Sequence, residues 1–273
     1  MSTWSIALAN QKGGVGKTTT AVSIAACLAE REHRTLLLDL DPQANATSAL
    51  GMEKLEGGSV YQALLGTAQL SDAIRTTKLP HLDMIPSEVD LAVAEVDVAR
   101  TDNYLQRLQL ALKPIRESNQ YEYLLIDCPP SLGILTMNSL AAVDRILVPI
   151  QCEYFALEGL AVILRVIQQI RDSGANPTLD LAGIVMTMYD GRTNLAQQVV
   201  GEVRRHFGDK VFRTVIPRTI RLAEAPSFGK PITQYDSSSY AAAVYRQLTE
   251  ELLVALTPPP SVASAKSGMP GGS

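Results

Sequence analysis

Glycines and lysines cluster near the N-terminus, directly after a short apolar run. Residues 12–19 read Lys-Gly-Gly-Val-Gly-Lys-Thr-Thr. Gly13, Gly14 and Gly16 would let the backbone curl so that successive N–H groups point inward at phosphate oxygens. A helix beginning near Lys17 would direct the positive end of its dipole at the same anion. This spacing predicts a phosphate-binding loop for ATP. The predicted nucleotide-binding residues of the loop are Lys12, Gly13, Gly14, Val15, Gly16, Lys17, Thr18 and Thr19.

The side chains of this loop have separate predicted roles. Lys17 is placed to reach the β- and γ-phosphates, and the hydroxyl of Thr18 is placed to bind Mg²⁺. Thr19 would contact the α-phosphate region. Gln11 stands where the usual loop has its first glycine, and Lys12 follows it. A second lysine so close to Lys17 would repel it unless an anion lies between them.

Two further apolar runs end in carboxylates. Asp39 and Asp41 follow a leucine-rich run, and Asp127 follows residues 123–126. In open α/β sheets ligands bind at the carboxyl ends of strands. Asp41 is therefore a candidate to orient the attacking water, while Asp39 and Asp127 are candidates to hold Mg²⁺ through water. The alternatives are that the first pair caps the following turn and that Asp127 is a solvated strand end.

Apolar runs alternate with helical patterns over most of the chain. The pattern predicts strands at 6–9, 35–40, 82–85, 123–126, 145–150, 181–188 and 211–216, and helices at 18–31, 102–117, 134–142, 156–173, 194–207 and 238–255. Strands that alternate with helices are typical of a parallel sheet covered on both faces. With 273 residues and 46% hydrophobic content, we expect a single-domain α/β fold with a mostly parallel twisted sheet and helices on both faces.

Residues 1–256 are predicted to form one P-loop ATPase domain, and residues 257–273 a flexible Pro/Gly/Ser-rich tail. The longest apolar runs are shorter than 18 residues, and the tail is a poor membrane-targeting helix, so we expect no membrane contact. The segment before the first strand has no charged start typical of a secretory signal. The three cysteines are far apart in the sequence, which favours reduced thiols in a cytoplasmic protein.

Charge is unevenly distributed. The whole chain carries −4, but residues 190–232 hold eight basic against four acidic residues, a net of +4 that leaves −8 for the remainder. This asymmetry predicts a basic face on an acidic body. Non-specific DNA binding needs little more than phosphate contacts from lysine and arginine. The favoured DNA contacts are Arg192, Arg218, Arg221 and Lys230. Arg204 and Arg205 are equally compatible with an ordinary solvated helix face.

Several segments together resemble the ParA/MinD family of ATPases with a deviant P-loop, in particular its short Soj-type members. The matching segments are Asn10-Gln11-Lys12-Gly13-Gly14-Val15-Gly16-Lys17-Thr18-Thr19-Thr20, Asp41-Pro42-Gln43, Asn45-Ala46-Thr47-Ser48, Asp127-Cys128-Pro129-Pro130-Ser131-Leu132-Gly133, the run from Gln151 to Gly159, Arg192-Thr193-Asn194-Leu195 and Glu224-Ala225-Pro226-Ser227. The resemblance implies a chromosome- or plasmid-partition ATPase that hydrolyses ATP slowly. It also implies an ATP-dependent homodimer, non-specific binding to double-stranded DNA, association with the nucleoid, and a ParB-type partner that stimulates hydrolysis and release.

The resemblance also implies roles for single residues. Lys12 would reach the nucleotide of the other subunit, and Gly13 would lie at the crowded dimer seam. It favours Asp41 as the hydrolytic residue, and it makes Pro217 and Thr219 candidate adenine contacts, mainly through their backbone. Two positions depart from the family pattern: Ala44 stands where glycine is usual, and Thr219 where asparagine is common. The chain begins at its first strand, so we do not expect an N-terminal helix-turn-helix or specific operator binding.

Three alternatives remain open. A membrane switch of the MinD type would need a basic amphipathic helix at the C-terminus, where this chain has its Pro/Gly/Ser-rich segment. A reductase of the nitrogenase iron-protein type would need cluster-binding cysteines, and Cys128 and Cys152 are poorly placed for that role. A metabolic P-loop ligase also stays open, although the sequence indicates no distinct pocket for a small substrate.

Overall fold

The computed structural model describes residues 3–54 and 59–256. Within these ranges, eight strands form a single sheet in the order β3-β4-β2-β5-β1-β6-β7-β8. The strands are β1 (Trp4–Leu8), β2 (Thr35–Asp39), β3 (Arg75–Thr76), β4 (Leu82–Ile85), β5 (Tyr123–Asp127), β6 (Arg145–Gln151), β7 (Asp180–Tyr189) and β8 (Val211–Pro217). Neighbouring strands pair in parallel, apart from the short edge strand β3, which runs antiparallel to β4.

Helices cover the sheet. They are α1 (Lys17–Glu30), α2 (Asn45–Ala49), α3 (Ser59–Leu65), α4 (Leu91–Val98), α5 (Arg107–Glu117), α6 (Ile134–Ala142), α7 (Ala156–Asp172), α8 (Asn194–Phe207), α9 (Ile220–Glu224), α10 (Ile232–Tyr235) and α11 (Tyr240–Leu256). Short 3-10 turns lie at Leu70–Ala73, Gly208–Lys210 and Ala225–Phe228.

The sheet separates two hydrophobic cores, because successive side chains of a strand point to opposite faces. In β2, Leu36 and Leu38 belong to one core and Leu37 to the other. In β5, Leu124 likewise faces the first core and Leu125 the second. Both faces of these central strands are buried, so their sequences are continuous apolar runs, as is typical of parallel strands. The predicted α/β fold with a mostly parallel sheet and helices on both faces is confirmed.

Local predictions were wrong where turns interrupt an apparent pattern. The helix predicted for residues 102–117 begins only at Arg107, because the preceding segment turns at Asn103, whose φ is 54°. The edge strand β3 and the short helices α2, α3, α4, α9 and α10 had no counterpart among the predicted elements. Segments of two to eight residues offer too few repeats for periodicity to detect.

The cysteines are free and buried, as expected of reduced core thiols. The flexible tail predicted for residues 257–273 lies outside the described residues. No helix in the described ranges is long and apolar enough to cross a membrane.

Candidate functional site

The glycine-rich loop connects β1 to α1 at the carboxyl end of the sheet. Gly14 and Gly16 have φ values of 76° and 85°, which lie in the left-handed region that glycine adopts without a steric penalty. Gly16 immediately precedes α1. The first N–H groups of α1 have no partners within the helix and therefore face the space enclosed by the loop. This geometry is that of an anion cradle, as the sequence predicts.

Lys17 is buried at the first position of α1, and its Nζ donates to the carbonyl oxygen of Lys12 at 3.3 Å. Burial lowers the pKa of Lys17, and the nearby Asp127, Cys128 and Asp41 act in the opposite direction. A buried ammonium group held by a loop carbonyl is well placed to bind a phosphate, because the anion would supply the charge partner that burial makes necessary.

Asp39 and Asp127 face each other in register at the ends of β2 and β5. Both are fully buried. The Oδ2 atom of Asp39 accepts hydrogen bonds from the backbone N (2.8 Å) and the hydroxyl (2.7 Å) of Thr47, and its Oδ1 accepts from the N of Asp41 (3.2 Å). Burial nevertheless raises the pKa of Asp39 to about 6. Asp39 thus stabilises the loop after β2, which was the alternative interpretation of its position in the sequence.

Asp127 differs from Asp39 because neither of its carboxylate oxygens accepts a hydrogen bond of ordinary geometry. Burial and then the neighbouring Asp39 raise its pKa well above the usual range, while the Thr18 hydroxyl and Lys17 oppose the shift. An unsatisfied buried carboxylate is costly unless a cation compensates it.

The oxygens near Asp127 fit a magnesium ion. Mg²⁺ prefers carboxylate and hydroxyl oxygens, and in nucleotide sites it is held by one or two protein groups together with phosphates and water. Asp127 offers a carboxylate oxygen and Thr18 a hydroxyl oxygen. No group of three or more His, Cys, Asp or Glu side chains suited to a metal occurs among the described residues.

Asp41 lies two residues beyond β2 and is 5% exposed. Its Oδ1 accepts a hydrogen bond from the N of Gln43 at 2.9 Å, and its carbonyl oxygen accepts one from the hydroxyl of Ser87 at 2.6 Å. Ala44, which follows, has a φ of 56°. The family's preference for glycine at this position therefore has a backbone cause, and this chain accepts a strain of about 1–2 kcal/mol there.

A cavity of about 250 Å³ lies beside the loop. Its lining includes both predicted adenine contacts, Pro217 and Thr219, and also Gly16, Thr19, Thr187, Met188, Ile216, Arg218, Leu222, Ala223 and Tyr245. The hydroxyl of Thr219 accepts a hydrogen bond from the N of Leu222 at 3.2 Å and so caps α9. Threonine and asparagine are both good N-cap residues, which explains why either can occupy position 219.

Lys12 does not join Lys17 inside the cradle. Its ammonium group forms an ion pair with Glu153, which follows β6, and both side chains are about half exposed. Gly13 has an ordinary φ, and a Cβ added there would meet only the Cβ of Pro130, at 3.7 Å. Nothing within the described chain therefore requires glycine at position 13. Glu153 lies in a segment that resembles the family, but no spacing in the sequence pairs it with Lys12.

The predicted DNA contacts lie on loops and on the short helix α9, and Arg218 also lines the cavity beside the phosphate loop. Arg192 forms a two-pronged ion pair with Asp190, with distances of 2.8 and 2.6 Å, and it holds the pKa of that carboxyl down at about 2. Arg221 lies near Glu224 and Asp236, at 3.7 and 3.4 Å.

Arg218 and Lys230 are exposed and form no salt bridge with any other described residue. Arg218 is attached to the end of β7 through its N, which donates to the carbonyl of Tyr189 at 2.9 Å. Arg205 instead pairs with Glu202 on α8, as expected for an ordinary solvated helix face. Of the four predicted DNA contacts, Arg218 and Lys230 are thus the two without a salt-bridge partner among the described residues, although Arg218 helps to lower the pKa of Asp190.

Comparison with known proteins places this geometry in a family. The family described as AAA domain matches residues 3–181. The chromosome partitioning protein ParA of Caulobacter vibrioides is 47% identical over 249 residues, which cover 91% of this chain and 93% of that protein. The sporulation initiation inhibitor protein Soj of Bacillus subtilis is 49% identical over 248 residues, covering 90% and 97%.

A solved structure shares the fold. Cobyrinic acid a,c-diamide synthase from Mycobacterium smegmatis, with bound ADP and magnesium, has a TM-score of 0.79 and 37% identity over 92% of this chain and 94% of that one. The identity and coverage of the curated relatives, together with the deviant phosphate loop and the strand-end carboxylates, establish that the chain belongs to the ParA/Soj family of chromosome-partitioning ATPases.

Proposed function

We propose that this protein is a partition ATPase that forms an ATP-dependent sandwich dimer, binds DNA without sequence preference, and leaves the DNA when a ParB-type partner stimulates hydrolysis. The observation that carries the proposal is the position of Lys12. Its side chain lies outside its own phosphate loop, half exposed and paired with Glu153, so that it can exchange this surface partner for the nucleotide of a second subunit. Gly13 supports this interpretation, because no neighbour within the described chain requires the absence of a side chain there, and we assign that requirement to a second subunit.

In the proposed mechanism ATP binds with its phosphates in the loop and its base in the cavity beside Pro217 and Thr219. Loop N–H groups and Lys17 neutralise the phosphates, and Lys12 of the other subunit adds a second positive charge. Mg²⁺ would be held by Thr18 and Asp127, with Asp39 as a candidate through water, and it would neutralise charge on the phosphate oxygens. We expect hydrolysis to depend on this ion and to be slow.

Asp41 is the proposed hydrolytic residue. The N of Gln43 fixes its carboxylate near the end of β2, and burial keeps bulk water away from it. Its part is to orient a water so that the water oxygen attacks the γ-phosphorus as the bond to the bridging oxygen breaks. Positioning of the reacting groups contributes more than covalent chemistry in phosphoryl transfer. The rigidity of the loop that holds Asp41 therefore matters more than the basicity of its carboxylate.

DNA binding is proposed for the four basic residues Arg192, Arg218, Arg221 and Lys230. Arg218 and Lys230 are the primary phosphate contacts, while Arg192 and Arg221 would have to share their acidic neighbours with the DNA. A dimer presents every contact twice, and the affinity for DNA rises steeply with the number of phosphates that are neutralised. This relation gives a physical reason why DNA binding would depend on ATP. We expect the DNA-bound dimer to lie at the nucleoid in the cytoplasm.

The experiment that tests the proposal is gel filtration of the wild type and Asp41→Ala with ATP and Mg²⁺, with and without duplex DNA. We expect the variant to accumulate as a dimer with ATP and to co-elute with DNA. ATP-independent DNA binding, or none with ATP, would contradict the proposal. Failure of the variant to accumulate a dimer would remove Asp41 from the hydrolytic role.

A second candidate is an ATP-dependent amide ligase, because a structure with 37% identity is named cobyrinic acid a,c-diamide synthase. The two functions differ in what consumes ATP. A ligase releases phosphate only in proportion to an amidated acid substrate, whereas the partition ATPase hydrolyses ATP in the presence of DNA and partner alone. Phosphate release without any acid substrate therefore favours partition.

A further inference from the structure

Thr187 lies near the end of β7 and is 2% exposed. Its hydroxyl is 2.8 Å from the carbonyl oxygen of Val15 and 3.0 Å from that of Ile150. Val15 belongs to the phosphate loop and Ile150 to the end of β6. A single buried side chain therefore connects the loop to two strands that lie far from it in the sequence.

The hydroxyl has only one proton to donate to these two carbonyl oxygens. It must share that proton or favour one acceptor, and the shorter distance favours Val15. A buried carbonyl that loses its only donor carries a large desolvation penalty. The loop conformation at Val15 is therefore sensitive to this hydroxyl.

The direction of the Val15 carbonyl also fixes the next N–H group. In a trans peptide the C=O of one residue and the N–H of the next point in opposite directions. Thr187 draws the carbonyl of Val15 toward β7, which turns the N–H of Gly16 away from β7. Gly16 precedes α1 and has the left-handed conformation of the cradle, so its N–H is one of the groups that the loop offers to an anion.

Thr187 contacts the other side of the site as well. Its carbonyl oxygen accepts a hydrogen bond from the N of Cys152 at 3.2 Å. Cys152 precedes Glu153, the ion-pair partner of Lys12. The hydroxyl and the carbonyl of one residue thus hold both backbone segments that carry this ion pair.

We propose that Thr187 is a positioning residue for ATP binding, and that its hydroxyl sets the orientation of the Val15–Gly16 peptide toward the phosphates. This inference rests on the proposed ATPase function and assigns no contact between Thr187 and the reacting atoms. Val and Ser separate the two properties of the side chain: Thr187→Val keeps its shape and removes the proton, whereas Thr187→Ser keeps the proton.

Thr3→Val is the matched control. Thr3 is also a buried threonine whose hydroxyl donates to a distant backbone carbonyl, that of Tyr121 at 2.7 Å. It lies just before β1, at the end of the sheet opposite the loop. Loss of that bond lowers stability without touching the site.

The test measures binding of Mg²⁺-ATP, the KM and kcat for ATP, and thermal unfolding without nucleotide. We expect Thr187→Val to weaken ATP binding and raise the KM by roughly ten- to a hundredfold, the loss typical of one unsatisfied buried carbonyl. Thr187→Ser should stay within a few-fold of the wild type. Thr3→Val should lower only the unfolding temperature.

ATP binding by Thr187→Val equal to that of the wild type would overturn the inference, as would equal effects of the Thr187 and Thr3 variants on the KM. If Thr187→Val does not fold, Thr187→Cys replaces it, because a thiol is a weak donor; ATP binding by the Cys and Ser variants that is equally tight would overturn the inference. A wild type that binds no ATP would overturn the proposed function as well, so the two failures are distinguishable.

Discussion

Gly51 and Gly229 bring two backbone segments into direct contact. A Cβ added at Gly229 would lie 2.7 Å from the Cα of Gly51, and both glycines have left-handed φ values, 66° and 61°. Gly51 follows α2, and Gly229 directly precedes Lys230. The segment that follows α2 is thus packed against the segment that precedes Lys230 through a contact that admits no side chain.

Gly229→Ala should therefore destabilise the protein by more than backbone strain alone. Strain at a left-handed position costs about 1–2 kcal/mol, and displacement of the Gly51 backbone should add about 1–3 kcal/mol. Chemical denaturation measures the free energy of unfolding. Gly174→Ala is the control, because its φ is 76° and an added Cβ would meet nothing within 4 Å. Equal losses of unfolding free energy in the two variants would show that the Gly51 backbone can be displaced without a free-energy cost.

Glu153→Gln tests the ion pair that holds Lys12 within its own subunit. A half-exposed pair contributes less than about 1 kcal/mol, so stability should hardly change. Because Lys12 must leave Glu153 to reach a second subunit, the ATP-bound dimer should form at about two- to fivefold lower protein concentration. Analytical ultracentrifugation with ATP measures this change, with Glu158→Gln as the control. A weakened dimer would mean that Glu153 itself contacts the partner.

Gly13→Ala tests whether the glycine serves the chain or the dimer. Its conformation is ordinary and its surroundings are open, so the monomer should keep its stability within about 1 kcal/mol and should still bind nucleotide. The ATP-dependent dimer should be lost. Gly14→Ala provides the contrast, since its φ of 76° should distort the loop and weaken nucleotide binding directly. An intact Gly13→Ala dimer would remove Gly13 from the seam.

Arg218→Glu tests the basic face. The variant should weaken ATP-dependent DNA binding for all sequences alike, and the slope of log affinity against log salt should fall by about one for each phosphate that the protein no longer neutralises. Arg218 also lines the proposed nucleotide cavity, so ATP binding is measured on the same variant; it should persist, because the proposed adenine contacts Pro217 and Thr219 are unchanged. Lys210→Glu makes the same charge change at the opposite end of β8, near Asp180, and should have little effect. Fluorescence anisotropy of labelled duplex DNA over a salt series measures the affinity of both variants. Equal losses of affinity would mean that the net charge of the protein, and not a contact made by Arg218, causes the effect.

The paired aspartates predict an unusual pH dependence. A carboxyl whose pKa is raised on folding binds more protons in the folded state than in the unfolded state, so its contribution to stability falls as pH rises. Asp39, whose pKa is raised to about 6, and Asp127, whose pKa is raised as well, should thus destabilise the nucleotide-free protein increasingly as the pH rises from about 4, and the Asp39 contribution is complete above about pH 6. For Asp39 this contribution is about 3 kcal/mol.

Asp127→Asn should therefore be more stable than the wild type at pH 7.5, and the difference should shrink as the pH is lowered toward 4. The same variant should bind Mg²⁺-ATP more weakly. Urea unfolding without nucleotide, repeated across this pH range, isolates the effect because all other carboxylates are common to both proteins. A variant less stable than the wild type at pH 7.5 would mean that an internal partner already satisfies the Asp127 carboxylate.

The phosphate loop, the carboxylates at the strand ends and the class of fold could all be predicted from the order of the residues. Each of these features depends on residues that are consecutive in the sequence, because a strand, a glycine-rich turn and the start of a helix are local structures. A parallel sheet also aligns the carboxyl ends of its strands whatever their order. The cavity beside Pro217 and Thr219 also agrees with the roles that family resemblance implies, although the capping role of the Thr219 hydroxyl emerges only from its contact with Leu222.

The partners of these groups could not be predicted, because they depend on the tertiary structure. Strand order placed β5 between β2 and β1 and so set Asp39 beside Asp127, where Asp39 adds to the rise that burial causes in the pKa of Asp127. It also brought Thr187 to Val15, a residue 172 positions away. Such contacts depend on which strands become neighbours. The packing of the whole chain decides the strand order, and the local spacing of residues does not specify it.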